Sequence, residues 1–375
     1  MNPVPYGIYV HVPWCRRRCP YCAFYVEVDR DTPWPRFVDA VQAEYRLRKT
    51  EFPGVASTVF LGGGTPSRMP GAELERLLGG FDRVPEAEVS IEANPEDVDP
   101  AWLEAALRAG VTRISLGIQT LDPRFARLLN RACTVETAER TLRHVAAAGF
   151  TSWSFDLIFA LPGQELADLA RDVDRLLELD PPHVSLYGLT IEEGTPFERA
   201  RDRGSLEPAS DERWREMYDF LVEQLRRAGF ERYEVSNFAR PGHRSRHNTL
   251  YWTDHPYLGL GPSAHGYAPS GRRWHNVRNV TSYLDGGDPT EASETPTGAA
   301  RALDLFVSAL RTAEGIAVEH VHRTTGFSVD PAVLHSLVRA GMLIENPDRI
   351  ILSDAGFPLA DGLAARLADG LRRVR

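Results

Sequence analysis

Three of the four cysteines of this chain lie close together, in the segment CRRRCPYC at residues 15–22. Thiolates hold iron–sulfur clusters, and three thiolates on a four-iron cluster leave one iron free to bind another ligand. A zinc site is the alternative, but closed zinc sites use four ligands, and the nearby His11 falls inside a predicted strand. The spacing therefore predicts an iron–sulfur centre on Cys15, Cys19 and Cys22, whereas Cys133 stands alone and is expected to be a small core residue.

A glycine run and three polar residues stand where predicted strands end. The run GGGTP at 62–66 closes one strand, and glycine lets a ligand reach backbone groups without a side chain in the way. Glu92, Gln119 and Asp156 each stand near the end of another strand. Taken singly, each is most often a hydrogen-bonded core group. Three successive strands with such a residue favour a common ligand.

Short apolar or β-branched runs alternate with helical patterns from residue 6 onward, which is typical of βα units around a parallel sheet. The predicted strands are 6–13, 57–64, 88–95, 112–119, 153–162 and 183–190. Loops at the carboxyl ends of barrel strands line the active site of such folds. The cysteine loop, which follows the first strand, is therefore expected to face the mouth of a barrel.

The regularity stops beyond residue 240, so we predict three regions. Residues 1–240 form the barrel, 241–297 form a connecting segment, and 298–375 form a smaller, mostly helical domain. The polar stretch at 285–297 is typical of a linker. Helical patterns followed by a strand pair near residues 343–353 resemble a winged helix, whose acidic setting favours packing over DNA binding.

The composition limits the partners. A formal net charge of -9 repels polyanions, and no basic patch offsets it, so nucleic acid is not expected as a partner. No run approaches the roughly 18 apolar residues that a membrane-spanning helix needs, and the first residues do not read as a signal peptide. We expect a cytoplasmic protein, either a monomer or a homodimer.

The C-x3-C-x2-C spacing resembles the cluster motif of the radical S-adenosylmethionine (SAM) superfamily, and the resemblance covers roughly residues 5–240. It implies an α/β fold, a partial (β/α)6 TIM-like barrel, and agrees with the six units found above. It also implies a [4Fe–4S] cluster whose open iron is chelated by SAM. In that family the reduced cluster cleaves SAM to a 5′-deoxyadenosyl radical, while the protein positions and shields the cofactors.

Within the superfamily, the chain resembles the coproporphyrinogen oxidase-like branch. The resemblance implies a set of SAM-binding residues: Tyr9, Gly63, Gly64, Thr65, Glu92, Gln119, Arg131 and Asp156. In this set, the guanidinium of Arg131 suits the carboxylate of SAM, and Asp156 can accept hydrogen bonds from ribose hydroxyls.

Two features distinguish between members of this branch. The oxygen-independent coproporphyrinogen III dehydrogenases carry a further cysteine two residues after the motif and a longer amino-terminal arm. This chain has Phe24 at that position and only a short lead before Cys15. The segment HNTLYW at 247–252 instead resembles the HNxxYW motif of the HemW family of heme chaperones.

That resemblance implies a protein that binds heme and transfers it to an acceptor hemoprotein, of respiratory or other type. His247 is the candidate iron ligand, although a histidine beside aromatic residues is more often simply packed. Rival ligands are His243, His255, His265 and His275, and arginines that could face the heme propionates are Arg240, Arg244 and Arg246. The alternatives are an enzyme that oxidatively decarboxylates coproporphyrinogen III and radical chemistry on an unrelated small molecule.

Overall fold

A curved parallel sheet forms the body of the molecule. The computed structural model describes residues 5–28 and 31–373, so the outermost residues of the first and third predicted regions lie outside the described part. Six strands pair in parallel and in chain order: β1 (Tyr6–Val12), β2 (Ala56–Gly63), β3 (Arg83–Ala93), β4 (Arg113–Gln119), β5 (Ser152–Phe159) and β6 (His183–Gly188). The six predicted strands are confirmed, although β3 begins earlier than predicted. The predicted α/β fold with a partial (β/α)6 barrel is likewise confirmed.

Helices cover the outer face of these strands. They are α1 (Trp34–Arg48), α2 (Gly71–Gly79), α3 (Pro100–Arg108), α4 (Pro123–Leu128), α5 (Val135–Ala147) and α6 (Leu166–Leu177), followed by α7 (Pro196–Asp202) and α8 (Asp211–Arg227). Successive strand residues point to opposite faces, so Ile8 and Val10 pack in one core with Phe37 of α1. The intervening residues Tyr9 and His11 point into the barrel. The interior is therefore lined largely by polar strand residues.

The sheet continues beyond the barrel on both sides. Beside β6 lie the antiparallel strands β7 (Glu231–Arg232) and β8 (Asn237–Ala239). Beside β1 lie β9 (Tyr257–Leu260), which is parallel to it, then β10 (His265–Tyr267), β11 (Arg273–Asn276) and β12 (Thr290–Glu294), which are antiparallel. The prediction of a linker at 285–297 is therefore wrong for β12, the edge strand of a twelve-stranded sheet.

A buried carboxylate fastens this extension to the barrel. Glu44 of α1 accepts hydrogen bonds from Arg48 Nε at 2.7 Å and from the backbone N–H of Gly261 at 2.9 Å. It also accepts from Asn276 Nδ2 at 2.7 Å and from Tyr283 Oη at 2.8 Å. Tyr283 belongs to the short helix α10 (Val280–Leu284), which follows α9 (Arg246–Trp252) in the chain. One side chain thus ties three separate parts of the extension to α1.

The last part of the chain has its own hydrophobic core. It contains α11 (Gly298–Ala309), α12 (Val318–Thr325), α13 (Pro331–Arg339) and α14 (Ala360–Asp369). Its small sheets consist of the strands Ile316–Ala317, Leu343–Ile344 and Arg349–Leu352, and of the pair Phe327–Val329 and Leu371–Arg373. The predicted winged-helix-like domain is confirmed, whereas the boundaries of the three regions stay a prediction. In the described ranges, no helix has the length and apolar character needed to cross a membrane.

Candidate functional site

A pocket of about 460 Å³ opens at the carboxyl ends of the barrel strands. Most of the residues predicted for the site line it: Cys15, Cys19, Cys22, Gly63, Gly64, Thr65, Glu92, Gln119, Arg131 and Asp156. Tyr9 and His247 are the two predicted residues that do not line it. Because parallel strands end at one edge of the sheet, residues far apart in the chain meet here.

The cysteine loop forms one wall of the pocket. Trp14–Cys15 pairs in parallel with Glu27–Val28, so the chain leaves the end of β1 and returns beside it. The Thr65 hydroxyl donates to Cys15 Sγ at 3.3 Å. Burial, with a smaller contribution from the neighbouring Cys22 and Cys19, raises the pKa of the Cys15 thiol to about 11. Three half-buried thiols thus share one wall, where bound iron would stabilise the thiolate form.

The set of three thiols fits a cluster better than a closed zinc site. Among the residues that the structure describes, no three His, Cys, Asp or Glu side chains are grouped tightly enough to hold one metal ion. A structural zinc site needs four ligands converging on one point, whereas a [4Fe–4S] cluster takes one thiolate at each of three separate corners. Cys15, Cys19 and Cys22 would hold such a cluster at the pocket wall.

The glycines at the end of β2 are required by close packing. Gly63 has a φ of +103°, and a Cβ there would lie 2.5 Å from the His11 ring. A Cβ on Gly64 would lie 2.7 Å from the carbonyl oxygen of Val12. The Gly64 N–H donates to that same oxygen at 2.7 Å. The run therefore brings the end of β2 against the strand that carries the cysteine loop, whatever ligand it also meets.

Two carboxyl groups line the pocket, one on β3 and one on β5. Glu92 Oε2 accepts from the Gly63 N–H at 3.0 Å, and Asp156 Oδ1 accepts from the Ser115 hydroxyl at 3.1 Å. Burial and, to a lesser extent, the charge of Asp156 raise the pKa of Glu92 to about 8. Burial raises the pKa of Asp156 to about 6, although hydrogen bonds from Ser185 and Ser115 lower it. Near neutral pH the pair therefore offers both a proton donor and a carboxylate acceptor to a polar ligand.

Arg131 and Gln119 are held in defined positions at the ends of their segments. Arg131 Nη2 donates to Asn94 Oδ1 at 2.8 Å and to the Gly117 carbonyl at 2.5 Å, while Nη1 lies 3.9 Å from Cys19 Sγ. Gln119 has a φ of 70°, in the left-handed region that costs a non-glycine residue free energy. Such strained residues cluster at binding sites, where the surrounding structure holds them.

Sequence reasoning missed Asn94, which also lines the pocket. Its side chain accepts a hydrogen bond from Arg131 and donates one to the Thr65 hydroxyl at 3.3 Å. It therefore connects the arginine beside Cys19 to the threonine beside Cys15. Asn94 follows Glu92 by two residues on the same strand end and therefore points to the same side. That spacing was the signal that could have identified it.

Comparison with known proteins places these features in a family. Residues 9–176 match the model of the radical SAM superfamily. The heme chaperone HemW of Mycobacterium tuberculosis is 36% identical, over 97% of this chain and 95% of its own. HemW of Lactococcus lactis is 32% identical, over 96% of each chain. The chain belongs to the HemW family. The resemblance inferred from the motifs is confirmed.

A solved structure shows the same fold as this HemW family member. Coproporphyrinogen III oxidase from Escherichia coli, a radical SAM enzyme, superposes with a TM-score of 0.83 over 98% of this chain and 91% of its own. The two sequences are 22% identical, so the likeness bears on the fold alone. It covers the barrel, the sheet extension and the C-terminal domain together.

The HNxxYW segment of this HemW family member lies away from the pocket, on the short helix α9 (Arg246–Trp252). His247 is 0% exposed and lies near the first residues of β1, where a Cβ on Gly7 would come within 2.9 Å of its ring. Its Nδ1 lies 2.7 Å from Thr58 Oγ1, and its Nε2 lies 2.8 Å from Tyr251 Oη. Burial lowers the pKa of His247 to about 3, so the ring is neutral. Both ring nitrogens are engaged inside the barrel.

Tyr9 and the arginines suggested for the heme propionates are also engaged elsewhere. Tyr9 Oη lies 3.0 Å from His11 Nδ1, one layer below the pocket. The three arginines named for the propionates are bonded to groups on the surface or at strand ends: Arg240 to Asp180, Arg244 to Glu314, and Arg246 to the carbonyl of Glu86. The structure does not bring these residues together around one open cavity with His247.

Replacing Arg131 by alanine is expected to weaken SAM binding by about 10-fold to 100-fold, because a charge-assisted hydrogen bond contributes about 1.5–3 kcal/mol. The measurement is isothermal titration of SAM into anaerobically reconstituted protein. Arg127→Ala, four residues earlier on an exposed turn of α4, is the matched control and should bind normally. Wild-type affinity in Arg131→Ala, or in Asp156→Ala, would remove the role inferred for that residue.

Proposed function

We propose that this chain is a heme chaperone that binds heme, holds a [4Fe–4S] cluster with SAM, and passes heme to an acceptor hemoprotein. The observation that carries the proposal is the likeness, over nearly the full length of both chains, to proteins named as heme chaperones. The HNTLYW segment at 247–252, which resembles the HNxxYW motif of that family, agrees with the proposal. The acceptor is proposed to be a respiratory or other hemoprotein.

The pocket residues have distinct tasks in this proposal. Cys15, Cys19 and Cys22 hold the cluster, which with SAM supplies one-electron chemistry when both are bound. The Arg131 guanidinium orients a carboxylate beside the cysteine wall. Asp156 accepts hydroxyl hydrogen bonds. All five groups line the one pocket described above.

Glu92 can hold or release a proton in the same pocket. Because its pKa is raised to about 8, it is largely protonated near neutral pH and can donate one hydrogen bond while accepting the Gly63 N–H. A ligand amine or cation entering the pocket would favour loss of that proton. Glu92 therefore adapts its charge to the ligand, which a fixed carboxylate in a buried site could not do.

The alternative inferred from the sequence is oxidative decarboxylation of coproporphyrinogen III. Phe24 stands where those enzymes have a further cysteine, and it is 64% exposed at the edge of the pocket. A phenyl ring cannot ligate iron or carry a proton. This position therefore favours the chaperone over the dehydrogenase.

Two measurements on anaerobically reconstituted full-length protein test the function. Hemin titrated into the protein should produce a saturating Soret band, and the loaded protein should pass heme to an apo-hemoprotein such as apomyoglobin. A parallel assay supplies SAM, a reductant and coproporphyrinogen III, and no decarboxylated product is expected. Vigorous decarboxylation without heme binding would overturn the proposal in favour of the dehydrogenase.

A further inference from the structure

A second cavity of about 400 Å³ lies between the sheet extension and the C-terminal domain. Its lining includes Tyr251 and Trp252, the last two residues of the HNxxYW segment, together with residues of α11 and α12. Cavities of this size are typical of small-molecule sites. It is separate from the pocket of the cysteines, because no residue lines both.

Aromatic side chains form one side of this cavity. Tyr251 and Tyr257 meet edge to face with ring centroids 4.6 Å apart, and Tyr257 and Tyr267 are 6.4 Å apart. Trp252 lines the same cavity. Large, rigid aromatic surfaces suit a flat apolar ligand such as a porphyrin.

The hydrogen bonds of His255 fix its tautomer and leave one ring nitrogen free to bind a metal at this cavity. Its Nδ1 lies 2.9 Å from the carbonyl oxygen of Thr253, which can only accept, so the ring proton must be on Nδ1. The Thr253 hydroxyl is 3.0 Å from the same nitrogen and donates its own proton to the carbonyl of Thr249, which agrees with this tautomer. The lone pair of His255 Nε2 is therefore available. Histidines that ligate metals are commonly held in this way by a carbonyl.

Neither His247 nor the other histidine that lines this cavity offers such a nitrogen. Both nitrogens of His247 are engaged, as described above. His320, which also lines the cavity, has its Nε2 3.1 Å from Asp254 Oδ2 and its Nδ1 3.3 Å from Arg323 Nη2. Among the described histidines that line this cavity, His255 alone keeps a nitrogen without a hydrogen-bond partner.

Arg349 supplies a positive charge to the same cavity. Its Nε and Nη2 donate to the carbonyls of Glu314 and Gly315 at 2.8 Å and 3.0 Å, and within the described ranges no carboxylate lies at ion-pair distance. The other cavity arginines are neutralised, Arg301 by Asp254 and Arg273 by Glu294 and by Asp304, which also lines the cavity. A carboxylate on a bound ligand would therefore find its partner in Arg349.

We propose that heme binds in this cavity, with His255 Nε2 as an axial iron ligand and Arg349 facing a propionate. The inference rests on the heme-chaperone function proposed above and names the site. The neutral imidazole donates its lone pair into an open axial position of the iron, and no proton moves. His247 then serves as a positioning residue, since its contact with Thr58 of β2 holds the helix that carries Tyr251 and Trp252 to the cavity.

The test is a hemin titration of the full-length protein, followed by its absorption spectrum. His255→Ala should weaken hemin binding at least tenfold and change the axial-ligand signature in the visible bands, and added imidazole should restore that signature. Arg349→Gln should weaken binding by about tenfold, as expected for one charge-assisted hydrogen bond, without changing the signature. His275→Ala is the matched control, because His275 lies on β11 outside the cavity and should behave as wild type.

The outcomes separate the two proposals. If wild-type protein binds hemin and His255→Ala keeps both its affinity and its visible spectrum, the site is wrong while the chaperone function stands. If wild-type protein binds no hemin, both proposals fail. Circular dichroism and thermal unfolding of each variant establish that a loss of binding is not a loss of fold, and imidazole rescue is measured on the heme that stays bound to the protein after free hemin is removed.

Discussion

Cys19→Ala protein is expected to retain almost no iron after anaerobic reconstitution. The change leaves two thiolates, Cys15 and Cys22, which is one fewer than the three corners of the cluster need. Iron content per chain and the broad iron–sulfur absorption both measure the loss. Because SAM is expected to chelate the open iron, SAM binding should be lost together with the cluster.

Cys133→Ala is the matched control for this experiment. Cys133 is the fourth cysteine of the chain, does not line the pocket, and donates from Sγ to the carbonyl of Thr134 at 3.1 Å. It should retain the wild-type iron content. Equal loss of iron in the two variants would contradict the three-cysteine assignment, and so would full iron in Cys19→Ala. Hemin titration of the cluster-free protein would then show whether the heme cavity works without the cluster.

Glu44→Ala is expected to destabilise the protein by about 3–5 kcal/mol, the cost of removing one partner from a buried ion pair. Glu44 and Arg48 are both buried, with side-chain exposures of 2% and 4%. The change leaves Arg48 without its main counterion. It also removes the acceptor of the Gly261, Asn276 and Tyr283 hydrogen bonds. Urea unfolding followed by circular dichroism measures the loss of stability.

An exposed glutamate of the same fold provides the comparison. Glu104 pairs with Arg108 on α3, and their side chains are 75% and 64% exposed. Surface pairs of this kind contribute between 0 and about 1 kcal/mol, so Glu104→Ala should unfold close to wild type. If Glu44→Ala were as stable as Glu104→Ala, the interpretation of the buried network as the fastening of the sheet extension would be wrong.

The barrel could be predicted from the sequence because its signals are local. Each strand is a short apolar run followed by an amphipathic helix, and a hydrophobic pattern of this kind is visible within a single unit. The pocket followed from the same pattern, since parallel strands place their carboxyl ends at one edge. The residues at those ends, such as Glu92 and Asp156, could therefore be grouped before their distances were known.

The edge strand β12 could not be predicted in this way. Four of its five residues are exposed, so no hydrophobic alternation marks it, and its position depends on backbone pairing with β11. The sequence TEASE at 290–294 instead carries the polar composition of a linker. Pairing between backbones leaves little trace in side-chain composition, which is why the prediction of a linker was wrong here.

The cysteine spacing, the order of the six βα units and the HNxxYW segment were sufficient to place this chain in its family, because each is written in consecutive or regularly spaced residues. Only the tertiary structure decided which way side chains point. It buried His247 between Thr58 and Tyr251, and it left His255 with a free nitrogen at a cavity completed by a domain that begins more than forty residues later. Whether a histidine can bind a metal depends on which partners reach its two ring nitrogens, and those partners can come from strands and helices distant in the chain.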